Sequence, residues 1–363
     1  MSKQNTEAER KPVVALGMSG GVDSSVAVHL LQKAGYEVHG IHMLMIPEKF
    51  QPNPTSEEDA KAVAEQFGIE FTVLDVRDKF EECIIQQFGK EYSCGRTPNP
   101  CINCNQQLKF GLFADIAKKI GADFISTGHY VRTGVSEYNR KLFYKAVDAK
   151  KDQSYFLSLV SPDVLDRCIF PLGELSKDQV RDIARELGLH VAEKGDSQEI
   201  CFIPDNDYKA FLKQILPPKA FKKGKVFHAD GRVLGSHDGI QNYTIGQRKG
   251  LGIALGKPAY VVALDAKKNS VILGDNDHLM HNQLTASQNN YFISLPTETP
   301  VTVDAKIRYR AQAAPAELII HTDGTSTVTF KEQQRAITPG QCVAYYIDDA
   351  LIGGGIIDSA QNV

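Results

Sequence analysis

Residues whose types and spacing suit chemistry fall in two places: a glycine-rich run near the start of this 363-residue chain, and a set of cysteines. The run is Ser19-Gly20-Gly21-Val22-Asp23-Ser24. It follows the apolar stretch Val13-Val14-Ala15-Leu16, which reads as a buried parallel strand. It leads into Ser25-Val26-Ala27-Val28-His29-Leu30-Leu31, a helix that Gly35 should close. A strand, a tight turn and a helix N-terminus together form an anion site. The glycines let the backbone come close, and the first N–H groups and the helix dipole point at a phosphate. The run lacks the lysine that ends a Walker-type phosphate loop. Such turns also serve as plain helix caps, but paired glycines with flanking serines and this aspartate favour the phosphate reading.

The cysteines suggest nucleophilic sulfur. Three of them lie in Cys94-Gly95-Arg96-Thr97-Pro98-Asn99-Pro100-Cys101-Ile102-Asn103-Cys104-Asn105, whose prolines and asparagines predict a loop. A helix should start near Gln106, just past Cys104. A thiol at a helix N-terminus has a lowered pKa and is a better nucleophile. Cys101 and Cys104 are half of a zinc pattern that no second pair completes. Cys201 stands in the apolar Ile200-Cys201-Phe202-Ile203, a core-like setting, but the polar Asp196-Ser197-Gln198-Glu199 before it suits a mobile loop. Cys83, Cys168 and Cys342 read as core.

These groups need a scaffold, and the first 130 residues alternate strand and helix. Strands are expected at 38–43, 71–74 and 124–127, with Thr55 and Glu58 forming a capping box for a helix that Gly68 stops. Two further helices follow, one with Phe80, Ile84, Ile85 and Phe88 on one face, the other running from Gln106 to Ile120. Repeated βα units imply a doubly wound parallel sheet with its ligand beyond the carboxyl ends of the strands. The glycine-rich run, Met43 and Gly128-His129 all fall at such ends. Residues 152–205 read as mostly helical, with Ser176 and Gln179 boxing one helix and another at Tyr208 to Ile215. After Pro217-Pro218 the character turns to short alternating β runs, such as 260–264, 270–273 and 327–330. The expected division is a flexible tail at 1–12, a catalytic domain at 13–205, a small central domain at 206–280 and a β-barrel at 281–363.

Composition fits a soluble enzyme of several domains, with 42% hydrophobic and 23% charged residues. The net charge of -3 gives no global basic field, so any nucleic-acid surface must be local. The polar start is unlike a secretory signal, and no stretch is long enough for a membrane span. Seven cysteines, an odd number, suit a reducing compartment, so a cytoplasmic location and no membrane partner are expected.

The lysine-free loop resembles that of the N-type ATP pyrophosphatases, which split ATP between the α- and β-phosphates and pass AMP to a substrate oxygen. With the distant cysteines added, the chain resembles the tRNA-specific 2-thiouridylases nearly end to end. The resemblance rests on 17–25, Gly95-Arg96-Thr97-Pro98-Asn99-Pro100, Cys104-Asn105, Thr127-Gly128-His129-Tyr130 and Lys151-Asp152-Gln153-Ser154-Tyr155-Phe156-Leu157. It continues through Cys201-Phe202-Ile203, Tyr243-Thr244-Ile245-Gly246-Gln247-Arg248 and Arg308-Tyr309-Arg310.

That resemblance implies a Rossmann-like catalytic domain of the adenine nucleotide α-hydrolase type, a central α+β domain and a C-terminal β-barrel. It implies a sulfurtransferase that replaces the C2 oxygen of the wobble uridine, U34, with sulfur in lysine, glutamate and glutamine tRNAs. ATP would lie on Gly17, Met18, Ser19, Gly20, Gly21, Val22, Asp23, Ser24, Met43 and Gly128, with Asp23 the acid nearest Mg²⁺. Cys104 would be the nucleophile, and Cys201 would carry a persulfide delivered by a sulfur-relay protein or a cysteine desulfurase. Asn99, Pro100 and Cys101 would face the target base. His129, Lys151, Asp152, Gln153, Arg308, Tyr309 and Gln341 would meet tRNA. The family carries aspartate, a candidate general acid–base, where this chain has Cys101. Three thiols could instead hold an iron–sulfur cluster, and the redox pair is the favoured reading. An amide- or guanidine-forming ligase with the same loop is the alternative; it would need neither Cys104 nor Cys201.

Overall fold

Three fully buried residues, Val14, Ala15 and Leu16, identify the middle of a sheet, because only a strand with neighbours on both edges and cover on both faces buries a continuous apolar run. The computed structural model describes residues 10–50, 55–195, 200–203, 206–253, 256 and 258–363. In it, β1 (Val13–Gly17), β2 (Glu37–Leu44), β3 (Glu70–Asp75) and β4 (Phe124–Thr127) form a parallel sheet. Strands β5 (Arg132–Val135) and β6 (Lys141–Tyr144) make a hairpin, and β7 (Cys168–Ile169) completes the sheet in the order β3-β2-β1-β4-β7. Helices α1 (Val22–Lys33) and α2 (Ser56–Phe67) connect the first three strands. Helix α3 spans 77–93 and contains a π-helical stretch, Glu81–Ile85, while α4 spans 100–119.

The expected parallel α/β domain is present, with three local differences. Thr55 sits in the helical region and makes no capping bond to the α2 backbone, so the capping box does not form, whereas Gly68 closes the helix at φ 61° as expected. Helix α4 starts at Pro100 rather than Gln106. Asn99 accepts the Cys101 N–H as N-cap, and Pro100 fills the first helical position, where its missing N–H costs nothing. The 152–205 stretch is mostly 3₁₀ turns, Ser154–Leu157 and Pro162–Arg167, with one α-helix among the described residues, α5 (Lys177–Glu186). Ser176 and Gln179 box α5 in both directions.

Helix α6 (Tyr208–Ile215) leads into a central sheet of β8 (Gly224–His228), β9 (Val233–His237), β10 (Tyr260–Asp265) and β11 (Ser270–Gly274). The barrel follows: β12 (Met280–Tyr291), β13 (Val301–Lys306), β14 (Ala314–Ile320), β15 (Ser326–Arg335), β16 (Cys342–Ile347) and β17 (Ala350–Gln361). All its pairings are antiparallel, and β12 pairs with both β15 and β17, which closes the barrel and leaves it no open edge. The β5–β6 hairpin of the catalytic domain adds to β17, with Tyr144 opposite Ala350. One hydrophobic core therefore runs from Phe113 and Tyr155 into Tyr345 and Ile357. Among the described residues no helix is long and apolar enough to cross a membrane.

Candidate active site

The glycine-rich loop leaves β1 at its carboxyl end and enters α1 with Gly21 as N-cap, and no side chain caps that helix. Its first-turn N–H groups are thereby left for an anion. Ser24 Oγ accepts from Ser19 N at 3.2 Å and donates to Gly21 O at 3.2 Å, which folds the loop over itself. Gly20 has φ +68°, and a Cβ there would come within 2.2 Å of Ser56 O, so only glycine fits. A Cβ on Gly128 would lie 2.8 Å from Ser24 N, so β4 ends directly against the start of α1. Met18 N donates to Ile41 O, and Met43 follows two residues later on β2. The residues from Gly17 to Ser24, Met43 and Gly128 thus share one end of the sheet.

Asp23 is ion-paired across the fold. Lys177 Nζ lies 2.7 and 2.8 Å from its two carboxylate oxygens, and Tyr130 OH donates to one of them at 2.7 Å. The Lys177 side chain is 8% exposed, so this cation is committed to the loop. Lys194 Nζ donates to Gly20 O at 2.9 Å and to Asp59 at 2.6 Å. A loop without a lysine of its own therefore has two brought to it from more than 150 residues downstream. Neither was visible in sequence, because nothing local marks a lysine that docks across the fold. No three His, Cys, Asp or Glu side chains among the described residues gather closely enough to hold a metal ion. A Mg²⁺ arriving on ATP would take most of its oxygens from phosphate and water, with Asp23 the carboxylate in the first turn of α1.

Cys104 lies one turn inside α4, not at its N-terminus, and the lowered pKa expected of it is not found. Burial pushes its thiol up to about 11; Lys109 pulls it down and Cys101 pushes it further up. Cys101 is half-buried and also raised, chiefly by burial. Cys201 is an exposed residue, yet burial of its sulfur, then Cys104 and Cys101, push it up to about 12, with Lys109 pulling it down. All seven cysteines are free. Lys109, five residues after Cys104 on the π-helical stretch Asn105–Leu112, is the cation that favours thiolate at all three positions. Phe202 sits edge-on to Phe80 and Phe88, at 5.7 and 5.5 Å, in the apolar cluster that also contains Cys104. Burial of that ring, worth about 2–3 kcal/mol, tethers the Cys201 segment beside α4. The polar residues 196–199 lie outside the described residues.

Several of the residues expected to meet tRNA have protein partners. His129 is buried, bonded to Thr127 at 2.6 Å and pushed down to about 3 by burial, so it carries no charge for a phosphate. Asp152 is buried and accepts from Ala146 N and from Ser154 N and Oγ. Gln153 accepts from Tyr130 N, and Asn99 is spent on its cap. Gln341 Nε2 donates to Thr97 O at 2.8 Å, and Arg308 donates to Ala336 O and Thr338 Oγ1. Lys151 is half-exposed, and Tyr309 packs on Phe156 at 4.4 Å beside the exposed Arg310. Lys151 and Tyr309 are partly exposed and Arg310 is exposed, whereas His129 and Asp152 are buried.

The chain matches three consecutive family profiles: a tRNA methyl transferase HUP domain at 12–205, a tRNA methyl transferase PRC-barrel domain at 209–275, and an aminomethyltransferase beta-barrel domain at 281–357. It is 46% identical over 352 residues to the tRNA-specific 2-thiouridylase MnmA of Clostridium acetobutylicum, covering 95% of this chain and 99% of that protein. It is 46% identical over 351 residues to MnmA 2 of Clostridium botulinum, covering 96% and 99%. A solved structure, the U34-tRNA thiolase NcsA from Methanococcus maripaludis with its [4Fe-4S] cluster, is a loose likeness. It is 17% identical, with TM-score 0.36, over 57% of this chain and 66% of that one.

Proposed function

The chain belongs to the tRNA-specific 2-thiouridylases, and we propose that it adenylates the C2 oxygen of U34 and replaces that oxygen with persulfide sulfur. The observation that carries this reading is the packing of Cys104 and the Cys201 segment into one cluster, on a sheet whose phosphate loop ends in an uncapped helix. A uracil oxygen is a poor leaving group. Attack of that oxygen on the α-phosphorus of ATP breaks the bond to the β-phosphate and releases pyrophosphate, and AMP is now the leaving group. The loop N–H groups and Lys177 offset the charge that develops on the pyrophosphate. The terminal sulfur of a Cys201 persulfide then attacks C2, and AMP departs with the former uridine oxygen. Cys104, as thiolate, attacks Cys201 Sγ. The S–S bond breaks, sulfur stays on the uridine, and Cys104 and Cys201 end as a disulfide, which a dithiol reductant resets. Burial keeps Cys104 protonated in this resting state, and Lys109 favours the thiolate once the proton leaves.

The persulfide comes from a sulfur-relay protein or a cysteine desulfurase, and the base must leave the anticodon stack to reach the thiols. Lys151 and Arg310 supply phosphate contacts that place the loop without reading sequence. A ligase of the same superfamily would adenylate a carboxylate instead. AMP release separates the two: stimulation by unmodified tRNA with U34, and none by free amino acids, is the expected result. Stimulation by an amino acid, with none by tRNA, would replace this reading with the ligase.

A further inference from the structure

The segment that carries the nucleophile is held from outside its own domain. Between α3 and α4, the Thr97 peptide is clamped on both sides by the barrel: Thr97 N donates to Pro339 O at 2.9 Å, and Gln341 Nε2 donates to Thr97 O at 2.8 Å. Arg96 beside it donates to Asp358 Oδ1 at 3.1 Å and to Ile357 O at 3.2 Å on β17, while its Nε holds Glu91 of α3 at 2.8 Å. The approach is close enough that Gly340, at φ +91°, is needed; a Cβ there would lie 2.9 Å from Thr97 N. Two residues on, Asn99 caps Cys101 N, and Cys104 follows one turn later. On the barrel side, Arg308 donates to Ala336 O and Thr338 Oγ1, so it fixes the same 336–341 loop.

We propose that Gln341 and Arg96 are positioning residues for Cys104, and that the barrel loop 336–341 sets the register of the nucleophile helix. Gln341 then acts on the reaction through Thr97 rather than by touching RNA. The inference rests on the thiolation reading for its consequence in turnover. The geometry explains why a barrel is fused to a catalytic domain that already holds both thiols: RNA seated near Arg308 and Tyr309 rests on the loop that clamps Thr97. A bonded chain of this kind transmits position only if its members are energetically coupled, so the test measures coupling.

The test uses Gln341→Met and Arg96→Met in the full chain, with tRNA affinity, single-turnover thiolation and iodoacetamide labelling of Cys104 without RNA as readouts. In Gln341→Met, tRNA Kd and KM should stay within about twofold while kcat falls about tenfold, because misplaced reacting groups cost rate rather than binding. Arg96→Met should do the same, and the double variant should be little worse than either single one, since both loosen one clamp. Cys104 labelling should change severalfold in both, whether or not the wild type thiolates RNA, so the clamp is read apart from the function. Arg96→Lys, which keeps one charged donor, should recover most of the rate if the loss is positional rather than a folding defect. A Gln341→Met enzyme with tRNA Kd raised tenfold and unchanged kcat would make Gln341 an RNA contact. Unchanged labelling and unchanged kcat would also overturn the proposal.

Discussion

Cys104→Ser and Cys201→Ser should each abolish sulfur transfer, while ATP cleavage in the presence of tRNA should survive. The two steps use different ends of the site. In the proposed mechanism, adenylation uses the loop between β1 and α1 and the lysines docked on it. Sulfur transfer needs a persulfide carrier and a second thiol to release it. Serine is close in size to cysteine, but its hydroxyl neither forms a persulfide nor ionises near neutral pH. The Cys104→Ser enzyme should stop after sulfur has attacked, leaving uridine joined to Cys201 through a disulfide that a reducing gel resolves. Cys201→Ser should give adenylated tRNA and no such adduct. Cys101→Ser should be milder, because Cys101 sits at the second position of α4 and lines the base pocket in this account. Alkylation of Cys104 in the resting protein should quicken as pH rises towards about 11, the thiol being held above its ordinary value by burial. If Cys101→Ser proved as damaging as the other two, with bound iron lost in all three variants, the thiols would be cluster ligands rather than a redox pair.

Lys177→Met should remove AMP formation almost entirely. The ammonium sits on both oxygens of Asp23, in the loop proposed to receive the phosphates, and is almost fully buried. A fixed cation in a partly desolvated site is worth far more than one in water, and losing one such group costs about 10²–10³ in rate. The expected result is a fall of about two orders of magnitude in AMP release, with tRNA affinity unchanged. Asp23→Asn should show a related but smaller loss, since Lys177 stays near the loop without its anchor. The double variant should be no worse than Lys177→Met, because both changes disrupt one ion pair. AMP release at the wild-type rate in Lys177→Met would mean the lysine only braces the loop.

Short, strongly patterned elements were legible in the sequence, and contacts made across the fold were not. Strands β1 to β4 carry apolar runs bounded by glycine or polar turns, and α5 has Ser and Gln at the box spacing, so each forms where it is read. Thr55 with Glu58 has the same spacing without the bonds, because Thr55 continues in helical geometry instead of the extended geometry that a box requires. The Asn99-Pro100 pair was read as loop punctuation, although a capping asparagine followed by proline is also how a helix starts. That single ambiguity moved Cys104 from the expected helix end to its interior; the raised pKa has a separate cause, the burial of its sulfur. Cys168–Ile169 was missed because a two-residue strand has no periodicity, and with it went the fifth strand of the sheet. Lys109, Lys177 and Lys194 could not be singled out among 41 lysines and arginines. The inward turn of His129 and Asp152 was equally hidden, since a family motif marks a residue without saying which way it faces.

In the proposed mechanism the C2 oxygen of U34 leaves with AMP, and oxygen labelling tests that step most directly. Unmodified tRNA carrying ¹⁸O at C2 of U34 is incubated with persulfide-loaded enzyme and ATP for one turnover, and the AMP is weighed by mass spectrometry. The predicted result is one ¹⁸O per AMP and one 2-thiouridine per AMP. AMP without label, alongside 2-thiouridine in the tRNA, would mean that ATP is spent elsewhere and would contradict the account at its centre.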